Sequence, residues 1–165
     1  MKKIIGVLLL VGMLAAVLTG CGPKLPSPEI TEGSFDVSVT YEVNGETKTL
    51  DLVYLCEYEG TESTIEGTRY RAWHGHFEGY EEGEVIEICK AADGSRIVLN
   101  FLIYAEYFMG EPEYAGDFDP RVLAERIYFE DDVEMISSDQ ELIAADYGVR
   151  ILGVDYDTPI KNTFA

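Results

Sequence analysis

Basic residues are scarce in this chain. Twelve Lys and Arg stand against 31 Asp and Glu, a formal net charge of −19 over 165 residues. That deficit excludes a general electrostatic grip on DNA or RNA, which rests on neutralising phosphates with Lys and Arg. It equally argues against docking on anionic lipid through a basic patch. Histidine is almost missing, with two residues in all, so a zinc or copper centre would have to borrow carboxylates to complete its ligands. There is no G-x-S-x-G elbow, no phosphate-binding glycine loop and no H-E-x-x-H pair, so the sequence carries none of those catalytic signatures. Internal repeats are also lacking, and no segment has low complexity apart from a proline-rich stretch near the N-terminus.

What is present suffices for one real core. Apolar residues make up 47% of the chain and aromatics 12%, which excludes a fully disordered polypeptide, and the length favours one domain.

Residues 1–20 differ in kind from the rest. Lys2 and Lys3 precede an apolar run from Ile4 to Leu18, followed by Thr19, Gly20 and Cys21. A positive start, an apolar stretch and small residues are the pattern of a secretory signal peptide, and the stretch is short for a membrane span of about 20 residues. The ending Leu18-Thr19-Gly20-Cys21 resembles the lipobox of bacterial lipoproteins. The resemblance covers residues 1–21 only. It implies acylation of the Cys21 thiol with diacylglycerol, cleavage just before it, and a chain anchored on the extracytoplasmic side of the cell membrane. Cleavage there removes two lysines and no acid, so the mature chain is more acidic still and stays soluble above an anionic surface. Residues 21–34, with three of the six prolines, read as the lipidated Cys and a flexible tether. Residues 35–165 read as a single β-rich domain.

Residues 35–43 alternate cleanly. Phe35, Val37, Val39, Tyr41 and Val43 share one face, with polar residues between them, the period of a half-buried strand. Asn44-Gly45 then predicts a two-residue hairpin turn. The register follows: Val39 faces Leu50, Val37 faces Leu52 and Phe35 faces Tyr54. Turn and pattern agree. Asp93-Gly94 predicts a second such hairpin between residues 84–90 and 95–104, with Ile88 against Leu99 and Ile86 against Phe101. Residues 68–78 read as a strand of blurred alternation, with Arg69, Arg71, Trp73 and Phe77 on one face. Residues 105–119 read as a long acidic loop, and Asp119-Pro120 as the cap of a short helical turn. Residues 125–130 read as a strand with Ile127 and Phe129 inward. Ser138-Asp139-Gln140-Glu141 has the form of a capping box opening a helix that runs to Tyr147 and stops at Gly148. Residues 149–156 form a last strand, and 160–165 a tail. The fold class is mostly β, an antiparallel β-sandwich or partly open barrel with one short helix near the C-terminus.

Candidate sites are few. His74 and His76 lie two apart on a strand and so share a face, with both imidazoles within reach of one metal and other ligands drawn from carboxylates. Asp117 and Asp119, and Asp131 and Asp132 within an acid-rich run, are the oxygen clusters that calcium favours, though none has EF-hand spacing. Oxygen ligands are abundant and nitrogen ligands are limited to His74 and His76, so calcium ranks ahead of zinc, and no other cofactor is expected. In an exported domain, a Cys56–Cys89 disulfide would close a loop of about 33 residues, worth roughly 3–4 kcal/mol. Strand parity disfavours it, since Cys89 would point away from the face of Ile86 and Ile88. Trp73 with Tyr70 and Tyr80 could form a sugar platform, against the commoner role of a core tryptophan. The functional expectation is a membrane-anchored lipoprotein with a non-catalytic binding or accessory domain, its partner a cell-surface protein or carbohydrate. The alternative is a small carboxylate- or metal-dependent enzyme acting on carbohydrate or cell-envelope material.

Overall fold

The computed structural model describes residues 25–80, 85–114, 116, 118–130 and 132–165. Cys21, Asp117 and Asp131 lie outside the described residues, as do the start of the tether and Glu84. Among the described residues eight strands and two helices follow in the order β1 (Glu32–Val43), β2 (Glu46–Ser63), β3 (Arg69–Phe77), β4 (Ile86–Lys90), β5 (Arg96–Leu102), α1 (Ala105–Phe108), β6 (Arg121–Glu130), β7 (Val133–Ser137), α2 (Gln140–Tyr147) and β8 (Val149–Tyr156). A 3-10 turn, Pro112–Tyr114, follows α1. Two four-stranded sheets result, ordered β3-β2-β1-β8 and β4-β5-β6-β7, and every pairing is antiparallel. The first sheet curls into a half-barrel, and the chain is mostly β as its alternation requires. No helix among the described residues is long and apolar enough to cross a membrane.

The first hairpin follows the sequence pattern residue by residue. Val39 pairs with Leu50, Val37 with Leu52 and Phe35 with Tyr54. Asn44 and Gly45 both adopt positive φ, 53° and 83°, which is what a type I′ turn needs. The alternating residues of β1 are all buried. They join Ile97, Leu99, Phe108, Met109, Ile143 and Val149 in one core fed by both sheets and both helices.

The second hairpin differs from expectation. Lys90 pairs with Arg96 across a five-residue loop, and Ile86 pairs with Leu99, not Phe101. Only Gly94 takes positive φ there. The Gly94 N–H bonds the Ala91 carbonyl, and Asp93 Oδ1 accepts from the Ser95 N–H. This is a tight turn followed by a glycine bulge, the next commonest hairpin closure. A second irregularity between Glu87 and Cys89 shifts the register once more. The two shifts restore parity, so Ile86 still points into the core.

Residues 105–114 are not an open loop: Ala105–Phe108 forms a helical turn and Pro112–Tyr114 a 3-10 turn. Ala105, Phe108 and Met109 are buried, the last two completely, and Phe108 contacts the rings of Phe35 and Tyr54. No helical turn opens at Asp119-Pro120; β6 begins directly at Arg121. Phe129 points outward and is 67% exposed, because β6 runs past the core into a hairpin with β7, a strand the sequence pattern did not show. The helix α2 is capped by Asp139, whose carboxylate accepts from Leu142 N–H at 3.0 Å. Ser138 instead donates to Glu125, so no capping box forms. Gly148 closes the helix in the left-handed conformation.

The residues expected as a tether are partly built in. Glu32–Ser34 belong to β1. Ser27 exchanges both backbone hydrogen bonds with Ala165, and the Glu29 N–H bonds the Thr163 carbonyl. The C-terminal tail therefore runs beside the N-terminal segment.

Candidate functional site

A charged node on β3 borders a cleft. Strand alternation puts Arg71 and Trp73 on the same face of β3, and that face turns toward the core. A guanidinium there must find an anion, since an unpaired buried charge is costly. Glu111, from the segment after α1, supplies it. Arg71 Nε donates to Glu111 Oε1 at 2.6 Å and Nη2 to Oε2 at 2.7 Å. Trp73 Nε1 donates to Oε1 at 2.9 Å. The fork-on-carboxylate geometry is the strongest ion-pair form available to arginine. Glu111 is 6% exposed. Arg71 Nη1 also donates to the Pro26 carbonyl, and its guanidinium lies 4.0 Å from the ring centre of Phe164. One side chain thus ties together β3, the acidic segment, the N-terminal segment and the C-terminal tail.

Beside this node opens a cleft of ≈ 320 Å³. Its walls include Thr64, Thr68, Arg69, Tyr70, Glu106, Glu113 and Tyr114. Burial raises the Glu106 carboxyl above the usual range, and the neighbouring Glu111 charge adds to this. Burial likewise raises Tyr114, with Glu106 the next cause. Tyr70 donates its hydroxyl to Glu62 at 2.7 Å, and that bond is the main reason its pKa lies above the ordinary phenol value. Next to the cleft, Tyr104, Tyr107 and Tyr114 gather round Phe118, with ring centres 4.9 Å, 5.3 Å and 6.2 Å from it. Tyr104 is exposed. The result is a concave, polar surface edged by aromatic rings. Such a surface suits recognition by hydrogen bonding and stacking. Glu111 cannot double as a reacting carboxylate while three donors hold it.

Of the metal candidates singled out by sequence, the described ones lie on separate elements apart from the two histidines. His74 and His76 stand side by side on β3, ring centres 5.2 Å apart. Asp119 sits just before β6 and pairs with Arg121 at the surface. Asp132 occupies the turn after β6 with φ 63°. The ten-residue strand between these two acids spans about 33 Å, so they serve different places. Among the described residues no group of three or more His, Cys, Asp or Glu side chains converges. The sugar platform does not form either: Trp73 is a core residue, 8% exposed, with its indole spent on Glu111.

Cys56 and Cys89 are both free thiols. Cys56 faces the core from β2. The irregularity in β4 places Cys89 opposite Ile97 and against the core, not opposite Val98 as parity predicted. The thiols nevertheless sit in different sheets. Burial, reinforced by the Glu106 charge, pushes Cys56 up to about 12.

Glu111 is the residue that sequence reasoning missed. A signal for it existed. Arg71 two positions from Trp73 on one strand face is a cation on an apolar surface, which demands a buried acid. The sequence offers no means of choosing that acid among 31. Comparison with protein families, with characterised proteins and with solved structures finds no match for this chain.

Proposed function

We propose that this chain is a bacterial lipoprotein, held on the extracytoplasmic face of the membrane by lipid on Cys21, whose β-rich domain is a binding module. The observation that carries the binding reading is the concave cleft beside Arg71, lined by Tyr70, Tyr114 and Glu106 and flanked by the exposed ring of Tyr104. Phenolic hydroxyls and a half-buried carboxyl offer hydrogen bonds in several directions, and the rings offer flat apolar faces. These are the means by which proteins hold carbohydrate or an extended protein segment. The buried ion pair fixes the wall of the cleft, so the surface is formed before a ligand arrives. The lipobox-like ending at Cys21 supports the anchor, and the acidic body supports a domain that stands clear of an anionic membrane.

A second reading has one specific support. Glu106 is a carboxyl of raised pKa in a cleft, a condition enzymes use for general acids. One experiment separates the two. The full-length protein is mixed with purified cell-wall polysaccharide and with peptidoglycan, and both co-sedimentation and release of soluble fragments are followed. The binding module retains polymer without cutting it, and the Tyr70→Ala, Tyr114→Ala double variant loses about tenfold or more in retention. Fragment release that disappears in Glu106→Gln replaces the binding module with the enzyme. Retention unchanged in the double variant removes the cleft from the account.

A further inference from the structure

The His74–His76 pair has a geometry that the cleft does not use. Both imidazoles project from the same face of β3, the edge strand of the first sheet, because residues two apart on a strand share a face. Their ring centres are 5.2 Å apart and their planes differ by 33°. Two imidazoles bound to one tetrahedral ion, with metal–nitrogen bonds of about 2.0–2.1 Å, place their ring centres about 5.2 Å apart. The shared strand face therefore lets the two rings stand at chelating separation, and an ion would draw one nitrogen of each to a common point by small side-chain rotation. A second observation is independent of the spacing. His76 Nδ1 is out of solvent and has no hydrogen-bond partner, and it is the one such side-chain atom among the described residues. Buried polar atoms are ordinarily satisfied, and a bound cation would satisfy this one. Glu57 stands opposite His74 in the β2–β3 register and adds negative charge beside the pair.

We propose that His74 and His76 form a two-nitrogen chelate on the outer face of β3 that takes a late first-row divalent ion. Imidazole nitrogen selects copper, nickel and zinc over calcium and magnesium, and among these Cu(II) binds most tightly. Two protein ligands leave the remaining positions to water, so the site is open and exchangeable, suited to capture or relay of an ion at the cell surface. It lies on the outer face of β3, whereas Arg71 and Trp73 face inward, so it stands independently of the proposed binding cleft.

The test titrates the full-length protein with Cu(II) and reads the electron paramagnetic resonance spectrum. The chelate gives one equivalent bound with superhyperfine splitting from two nitrogens, a pattern that the free thiols cannot produce. His74→Gln and His76→Gln each weaken binding at least tenfold and reduce the pattern to one nitrogen, and zinc or nickel in excess displaces the copper. Far-ultraviolet circular dichroism of each variant verifies that the sheet is intact. Should either variant be unfolded, photo-oxidative modification of the two histidines in the wild type, protected by one equivalent of Cu(II), makes the same distinction. Equal affinity in wild type and both single variants, or a spectrum without nitrogen splitting, overturns the site.

Discussion

The β1–β2 hairpin and the segment from Ala105 to Tyr114 are built on opposite principles. In the hairpin, every structural decision is local. Alternation sets the face, Asn44-Gly45 sets the turn, and the turn sets the register, so each of Phe35, Val37 and Val39 meets the partner that counting from the turn assigns. In the segment, nothing local decides. Its acids and glycine are loop composition, yet Phe108 and Met109 are fully buried, and Glu111 is fixed by Arg71, forty positions earlier in the chain. The contrast shows where acidic composition misleads. Most of the 31 acids dress the surface, but one is a structural anchor, and its role is defined only by what it meets.

The largest expected effect falls on that anchor. Glu111→Ala leaves Nε and Nη2 of the Arg71 guanidinium, itself 12% exposed, and the Trp73 indole without their acceptor and leaves the guanidinium without its counter-charge. Breaking one side of a buried pair costs about 3–5 kcal/mol, so urea denaturation is expected to show a loss in that range. By contrast, Glu46→Ala, which removes the exposed Lys48 pair at the tip of the first hairpin, is expected to cost less than about 1 kcal/mol. Equal losses would erase the distinction between the two regions.

The turn glycines come next. Gly45 and Gly94 hold φ of 83° and 86°, conformations that a β-branched residue resists. Gly45→Val and Gly94→Val are each expected to lose about 1–3 kcal/mol. The hairpins part at the residue before the glycine. Asn44 uses its own tolerance of positive φ. Asp93 instead works through its carboxylate, which accepts from Ser95, Arg126 and Tyr147. Asp93→Asn is therefore expected to disturb the second hairpin, whereas Asn44→Asp is expected to leave the first nearly unchanged, as read by amide exchange in each turn.

The same Asp93 gives a pH signature. Its hydrogen bonds to Ser95 hold the carboxyl below the ordinary value of 3.8, helped by Tyr147 and Arg126. A group whose folded pKa is depressed contributes stability above its unfolded pKa and loses it as pH falls through the folded value. The second hairpin is thus expected to weaken below about pH 4, and Asp93→Asn to flatten that part of the profile. A wild-type and variant profile of identical shape would show that the carboxylate is not engaged.

The smallest effect concerns the thiols. Cys56 is 1% exposed, and burial pushes its pKa up to about 12, so its reactive thiolate is scarce at pH 8. Cys89 is half-buried and its shift is smaller. In the native protein iodoacetamide is expected to label Cys89 well before Cys56, and denaturation to equalise them.

Much of the fold was legible because alternation and turn chemistry act over a few residues. The first hairpin, the helix ending at Gly148 and the last strand all follow from such patterns. The second hairpin was half legible. Its strands and the inward set of β5 were evident, but the extra loop residue and the irregularity at Ile88 arise from the side-chain bonds of Asp93 and from packing. The candidate site was the least legible part. His74 and His76 could be found by spacing, and Arg71 hinted at a buried partner, but the cleft exists only where residues 105–114 fold onto β3. Of the calcium-type acids, Asp119 and Asp132 lie on either side of β6, and their sequence partners Asp117 and Asp131 lie outside the described residues.

Trp73 is the chain's one tryptophan, and its indole N–H sits 2.9 Å from Glu111. Its nitrogen-15 resonance is therefore the most direct probe of the claim that the acidic segment is seated in the core through Glu111. The account expects a single indole N–H signal shifted downfield and protected from solvent exchange in the wild type. In Glu111→Gln the signal should move upfield and the protection fall by at least tenfold. An indole N–H that exchanges freely in the wild type, or is indifferent to Glu111→Gln, would contradict it.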